Sequence, residues 1–145
     1  MALPVRVLVT VGDERDPAAL GPLPPSVRVE RCVPQAAVMR HAAAMVGHGG
    51  SGSTLAALAA GVPQAIVPLF VDGSENARRV ARAGAGIALD GGLDAVPHLD
   101  DAVDGLLHDP GRRLAAGRVA GEIRSLPAVD EVVDALESAA LSSVR

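Results

Sequence analysis

The chain has 145 residues, the size of a single domain, and 49% of them are hydrophobic, with 27 Ala, 20 Val and 16 Leu against one aromatic side chain, Phe70, so the interior must be built from small and branched aliphatic groups. Thirteen Arg and no Lys against 17 Asp plus Glu leave a net charge of −4 without a long basic run, which argues against a duplex-binding surface dominated by phosphate neutralisation; the lack of Tyr and Trp removes a stacking platform for single strands. One cysteine, Cys32, excludes an internal disulfide framework or a Cys-based zinc site, no apolar run reaches the roughly 18 residues of a membrane span, and Met1-Ala2-Leu3-Pro4 is not a secretory leader, so a cytoplasmic setting is expected.

Residues 5–11 are short and β-branched and stop at Gly12-Asp13, which predicts a first strand. Residues 16–26 carry Pro17, Pro22, Pro24 and Pro25 and read as loop with room for one helical turn. Residues 27–30 predict a second strand, closed by Pro34. A helix suits residues 35–41 and an apolar third strand residues 43–46, which run into His48-Gly49-Gly50-Ser51-Gly52-Ser53-Thr54. This Gly/Ser segment is no linker, because helical residues 55–60 follow directly and Gly61 stops them as a C-cap. Residues 64–68 predict a fourth strand, 75–83 a helix with Arg78, Arg79 and Arg82 exposed, and 86–89 a fifth strand. Beyond Gly91-Gly92 the pattern is helical over 100–108, 110–126 and 127–141, with Pro110 and Pro127 at positions where a first-turn residue loses no intrahelical bond.

Short, wholly apolar strands that alternate with helices predict an α/β fold, a three-layer Rossmann-like parallel sheet with helices on both faces. Ligands of such sheets bind beyond the carboxyl ends of the strands. Gly12, His48 and the stretch from Pro68 to Asp72 all fall there. The turn from His48 to Thr54 follows a strand and opens a helix, where unpaired N–H groups and the helix dipole attract an anion. Its glycines allow close approach, Ser51, Ser53 and Thr54 offer hydroxyls, and His48 can donate from its ring. The bland alternative is a tight turn with Ser51 or Ser53 as N-cap, but three glycines, three hydroxyls and a histidine in seven residues favour phosphate. A Walker A loop is excluded by the lack of lysine, the dinucleotide fingerprint fails at Leu55, and the hydrolase nucleophile pattern fails at Ser53. Asp72, at the end of the fourth strand, reads as a helix cap answered by Glu75 and as an acceptor for the hydroxyls of a polyhydroxylated ligand. A glycosidase-like pair of Asp72 and Glu75 carries little weight, since adjacent turns place them side by side. The other histidines have no ligand spacing with His48, so no metal is expected, and Cys32 reads as an ordinary small apolar residue.

Cys32-Val33-Pro34-Gln35, His48-Gly49-Gly50-Ser51-Gly52-Ser53, Gly61-Val62-Pro63-Gln64, Pro68, Asp72, Asn76-Ala77 and Gly84-Ala85-Gly86, in this order and spacing, resemble the C-terminal domain of family 1 glycosyltransferases. The likeness is strongest to actinobacterial enzymes that decorate macrolides and other natural products, and it covers nearly the whole chain. It implies the C-terminal half of a GT-B fold, a single domain over residues 1–145 that binds a dTDP- or UDP-sugar, and no cofactor beyond that substrate. By resemblance Val33 and Gln35 lie near the base and ribose, and His48 with Gly50, Ser51, Gly52 and Ser53 holds the diphosphate, with Gly12 at the neighbouring loop. Asp72 and Gly73 take the place of the sugar-binding Asp-Gln pair. Cys32 stands where many relatives carry a stacking aromatic, Ala56 where plant relatives place a ribose-binding Glu, and Asp13 where a hydroxyl residue commonly approaches the diphosphate.

The resemblance further implies inverting transfer to a natural-product acceptor and a partner, the acceptor-binding N-terminal domain with its general base, which these residues do not contain. The chain is therefore expected to be an excised or split donor domain, inactive alone and open to self-association through its uncovered cleft face, with no catalytic residue of its own assigned. The alternatives are a non-catalytic auxiliary partner of a transferase with the same fold, for which Asp13 and Gly73 speak, and a dinucleotide-binding oxidoreductase domain.

Overall fold

The structure is a computed structural model that describes residues 3–142; Met1 and Ala2, at the start of the stretch tested above for a leader, lie outside them. Strand β1 (Val7–Thr10) pairs in parallel with β2 (Val27–Glu30), Val7 opposite Val27 and Thr10 opposite Glu30. Strands β3 (Met45–Gly47), β4 (Gln64–Ile66) and β5 (Gly86–Ala88) form a second parallel ladder in that order. Helices α1 (Gln35–Met39), α2 (Ser51–Ala59), α3 (Val71–Arg82), α4 (Leu99–His108), α5 (Pro110–Arg124) and α6 (Val129–Ser142) complete the chain, with 3-10 turns at Pro17–Leu20 and Gly92–His98. The parallel sense and the α/β alternation are those expected.

Alternation along β4 distributes the core. Ile66 faces Ala77 and Val80 of α3, Ala85 and Ala116 of α5, whereas Ala65 faces Ala102 and Leu106 of α4 together with Ile87 and Leu89. Both faces of the β3–β5 sheet are thus covered, which makes the three layers. The α2 helix closes on Gly61, φ +69°, whose N–H donates to Leu58 O and whose neighbour Val62 N–H donates to Ala57 O, as a glycine stop does. Small residues of α5 cross here: a Cβ built on Gly61 would lie 3.6 Å from Gly117 Cα. The abundance of alanine and glycine is spent on these close helix contacts.

The β1–β2 pair belongs to a separate ladder and is more exposed: Val7 and Leu8 retain 40% and 39% of their accessible surface. Pro17 opens the one 3-10 turn after β1, and Pro22, Pro24 and Pro25, each without an N–H to donate, keep the rest of that connection out of helix. Among the described residues no long helix covers the pair from that connection, and an open groove of about 660 Å³ lies between Arg6, Leu8, Arg28, Glu30, Val33 and Val38.

Several boundaries differ from expectation. Pro110 does begin α5, capped by Asp109 Oδ1, which accepts from Gly111 N–H at 2.8 Å. Pro127 does not begin α6, which starts two residues later at Val129. Helix α2 begins at Ser51 and α3 at Val71, each about one turn earlier than the residue pattern suggests. Along α6 the apolar Val129, Val132, Val133, Leu136 and Leu141 all remain exposed. Among the described residues no helix is long and apolar enough to cross a membrane.

Candidate functional site

The β3 strand ends at Gly47 and the chain turns within three residues into α2. Gly49 has φ +88°, and Gly50, with extended dihedrals and no side-chain cap bond, is the N-cap. The first helical bond runs from Thr54 N–H to Gly50 O at 3.0 Å, so the N–H groups of Gly50, Ser51, Gly52 and Ser53 precede the intrahelical ladder. Ser51 and Gly52 are exposed and Ser53 is half-buried. Neither serine caps the helix, and Thr54 is not a ligand hydroxyl: its Oγ1 is buried without a hydrogen-bond partner among the described residues.

The His48 side chain stands over this terminus. A Cβ on Gly50 would lie 2.6 Å from His48 Nε2, so only a glycine lets the ring occupy that place. The other side of the imidazole meets Phe70 edge-on, with centroids 5.6 Å apart and planes at 88°, a geometry favoured by the ring quadrupole. Phe70, 65% exposed, is the N-cap residue of α3. The one phenylalanine of the chain therefore sits against its candidate phosphate-binding histidine.

Two loops meet backbone to backbone. A Cβ on Gly49 would fall 2.7 Å from Gly73 Cα and 2.8 Å from Gly73 O; one on Gly73 would fall 2.6 Å from His48 O. This contact joins the β3–α2 turn to the first turn of α3, which carries the exposed Asp72. Asn76, one turn further along α3, donates from Nδ2 to Gly49 O at 2.7 Å and to Ser51 Oγ at 3.2 Å. From the other side, the fully buried Gln64 donates from Nε2 to Thr54 O at 3.2 Å and ties the first turn of α2 to β4.

Asp72 is not the helix cap, because α3 begins at Val71 with Phe70 before it, and Glu75 does not answer it. Glu75 instead accepts from Arg79 Nε at 2.8 Å and from Arg78 Nη2 at 2.9 Å. Hydrogen bonds from Arg79 and then Arg78 hold its carboxyl at a pKa of about 2. Glu75 is thus ionised at neutral pH and cannot serve as a proton donor, which removes the glycosidase-like pairing with Asp72.

The remaining sequence-predicted residues form a second group on the other ladder. Gly12, φ +80° and exposed, donates its N–H to Arg31 O at 2.9 Å. Val33 is half-buried at the edge of the open groove, and Gln35 is the first residue of α1. Cys32 is exposed with a free thiol, not an apolar packing residue, since Pro34 keeps this loop outside α1 and away from the core. Asn76 and Phe70 are the site residues that residue spacing did not single out for a role. Asn76 was legible only as part of the Asn76-Ala77 motif.

With this geometry in place, comparison with known proteins defines the class: the fold is that of the C-terminal half of GT-B glycosyltransferases. A structure of the glycosyltransferase VinC in complex with dTDP superposes with a TM-score of 0.84 at 32% identity, over 94% of this chain and 34% of that one. The spinosyn rhamnosyltransferase SpnG gives a TM-score of 0.85 at 32% identity, over 94% of this chain and 37% of that one. The family described as erythromycin biosynthesis protein CIII-like, C-terminal domain, matches residues 2–139, and the chain belongs to it. The elloramycin glycosyltransferase ElmGT of Streptomyces olivaceus is 48% identical over 120 residues, 83% of this chain and 30% of that protein. The L-demethylnoviosyl transferase of Streptomyces niveus is 35% identical over 136 residues, 94% of this chain and 35% of that protein. The chain spans about a third of the length of these relatives. It is a glycosyltransferase C-terminal domain whose homologues are antibiotic glycosyltransferases, and neither the auxiliary nor the oxidoreductase reading is favoured.

Proposed function

We propose that this chain is the donor-binding domain of a cytoplasmic glycosyltransferase that moves a sugar from a dTDP- or UDP-sugar to a natural-product acceptor with inversion. The observation that carries the reading is the turn itself. Four backbone N–H groups, from Gly50 to Ser53, lie at the start of α2 beneath the His48 ring, an arrangement that suits a diphosphate. The complex of VinC with dTDP supports a thymidine nucleotide as the first ligand to try.

In this reading the diphosphate is the leaving group. As the bond to the anomeric carbon breaks, negative charge grows on the diphosphate oxygens, and the N–H groups, the helix dipole and the His48 ring stabilise it where it develops. Asp72, exposed at the head of α3, accepts hydrogen bonds from sugar hydroxyls. Val33 and Gln35 approach the base and ribose from the segment that follows β2 of the β1–β2 ladder. Gly73 acts through its backbone contact with His48 rather than through a side chain. The general base and the acceptor pocket come from a partner domain, in the same gene or in a separate subunit.

Calorimetric titration of dTDP and of UDP into the chain tests this. Saturable binding of at least one nucleotide is expected, weakened about tenfold or more in His48→Ala, since a hydrogen bond to a charged group is worth roughly 1.5–3 kcal/mol. Absence of saturable binding, or equal binding by His48→Ala, overturns the reading.

A further inference from the structure

We infer that Asn76 is a positioning residue that sets the polarity of the diphosphate turn and couples it to the sugar-binding end of α3; the inference rests on the donor-binding reading above. Gly49, at φ +88°, and Gly50 both lack a Cβ, so neither residue's own side chain dictates which way the peptide between them faces. One orientation points the Gly50 N–H at an anion; the flipped one presents the Gly49 carbonyl oxygen in its place and repels the anion. A trans peptide sets C=O and N–H antiparallel, so whatever holds the carbonyl also aims the N–H. The side-chain amide of Asn76 holds it, donating to Gly49 O at 2.7 Å.

The second hydrogen of the same amide settles Ser51. Because Asn76 Nδ2 donates to Ser51 Oγ at 3.2 Å, the hydroxyl is an acceptor towards α3 and its own proton is left for another partner. One amide thereby turns both a backbone N–H and a hydroxyl into donors at the same corner. An acceptor-only side chain of the same shape would do the reverse: it would repel the Gly49 carbonyl and take the Ser51 proton. Asn76 also lies four residues after Asp72, on the same face of α3. Its bond across 27 positions of sequence therefore fixes how far Asp72 stands from the turn.

The variants that test this are Asn76→Asp and Asn76→Ala, read by calorimetric titration of dTDP from pH 8 to pH 5 with thermal melts alongside. At pH 8 the expected loss is about tenfold for Asn76→Ala and about a hundredfold for Asn76→Asp, because a part-buried acceptor facing an acceptor costs more than a missing donor. As the new carboxyl protonates it regains one O–H donor for Gly49 O, so the Asp variant recovers towards the wild type on acidification. The Ala variant does not. His48 across the turn, Asp72, Glu75 and Arg79 on α3, and the nucleotide itself also face this corner, and all are present in the Ala variant, which therefore subtracts their titration. Should Asn76→Ala melt below the assay temperature, the isosteric Asp variant carries the test through its pH profile against the wild type. If wild type binds dTDP, His48→Ala does not, and both Asn76 variants bind within twofold of wild type at every pH, the inference is overturned while the donor reading stands. If wild type shows no saturable binding, both fall.

Discussion

Two glycines in helices of the same chain should respond to the same substitution with opposite signs. Gly117 lies in the middle of α5, is exposed, and a Cβ there meets nothing within 4 Å. Gly117→Ala should stabilise the fold by roughly 0.5–1 kcal/mol through helix propensity and unfolded-chain entropy. Gly73, in the first turn of α3, would receive the same propensity gain, but its Cβ would lie 2.6 Å from the His48 carbonyl oxygen and 3.5 Å from Pro68 Cα. Neither obstacle is a side chain that can swing aside, so α3 or the turn must shift by several tenths of an ångström. Overpacking of this kind costs about 1–3 kcal/mol, and the rigid backbone on both sides argues for the upper half of that range. The balance for Gly73→Ala is a loss of about 1–2 kcal/mol after the propensity gain is subtracted. At about 2–4 °C per kcal/mol for a chain of this size, Gly117→Ala should melt higher by a few degrees and Gly73→Ala lower by about 2–8 °C. Differential scanning fluorimetry, confirmed by urea unfolding, reads the pair. Equal melting temperatures for the two variants would refute the claim that the two loops touch through their backbones.

Other substitutions probe separate steps. Glu75→Gln removes a carboxyl whose pKa is depressed to about 2 by Arg79 and Arg78; a depressed acid stabilises the fold above its unfolded pKa and loses that contribution as pH falls through the folded value. The melting-temperature difference between wild type and Glu75→Gln should therefore be constant above about pH 4.5 and vanish towards pH 2, and it should be small, because Glu75 is 46% exposed and its partners more so. A difference that grew on acidification would contradict the ion pairs. Thr54→Val removes a buried hydroxyl that has no partner and should raise stability by about 1 kcal/mol in urea unfolding; a loss of stability would mean that the hydroxyl is satisfied. Asp72→Asn should leave dTDP affinity within about twofold but weaken a dTDP-sugar relative to dTDP by about fivefold or more, the share of a charge-assisted hydrogen bond. Loss of both affinities alike would place Asp72 at the diphosphate instead.

Local sequence was a good guide where structure is decided locally. The β-branched run of β2 and the Asp109-Pro110 start of α5 are set by side-chain shape and capping chemistry, and the glycine after α2 stops that helix as its dihedral requires. The starts of α2 and α3 were less legible. Ser51, Gly52 and Ser53 are poor helix formers, and nothing near them in sequence reveals that Asn76, 25 positions beyond Ser51, and Gln64 hold that first turn in place. Asp72 and Glu75 have the spacing of a capping box, but Arg78 and Arg79 on the same helix bind Glu75 more strongly than a backbone N–H does. Residues His48, Gly50 and Asp72 could be picked out because their types at strand ends imply chemistry. The roles of Phe70 and Asn76 could not, because they exist only once two loops have met.

On the proposed donor-binding reading, the electrostatics of the corner would let an acidic chain host a polyanion. Net charge of −4 opposes any approach of a diphosphate at long range, but screening confines that opposition to about 8–10 Å at physiological salt. Within that distance the charges that matter are few. Glu75 is matched by two guanidinium groups on its own helix, so this part of α3 carries no net negative charge. The N-terminal half-charge of α2 is positive. Asp72 is then the one carboxylate of that helix start without an ion pair among the described residues. A carboxylate suits hydroxyls and repels phosphate, so on the proposed reading its placement in the first turn of α3, beside the β3–α2 turn and not within it, separates the two parts of a sugar diphosphate. The Gly49–Gly73 contact and the Asn76 bond hold the two loops together, so on that reading their spacing, more than any single side chain, is what would match a sugar joined to a diphosphate.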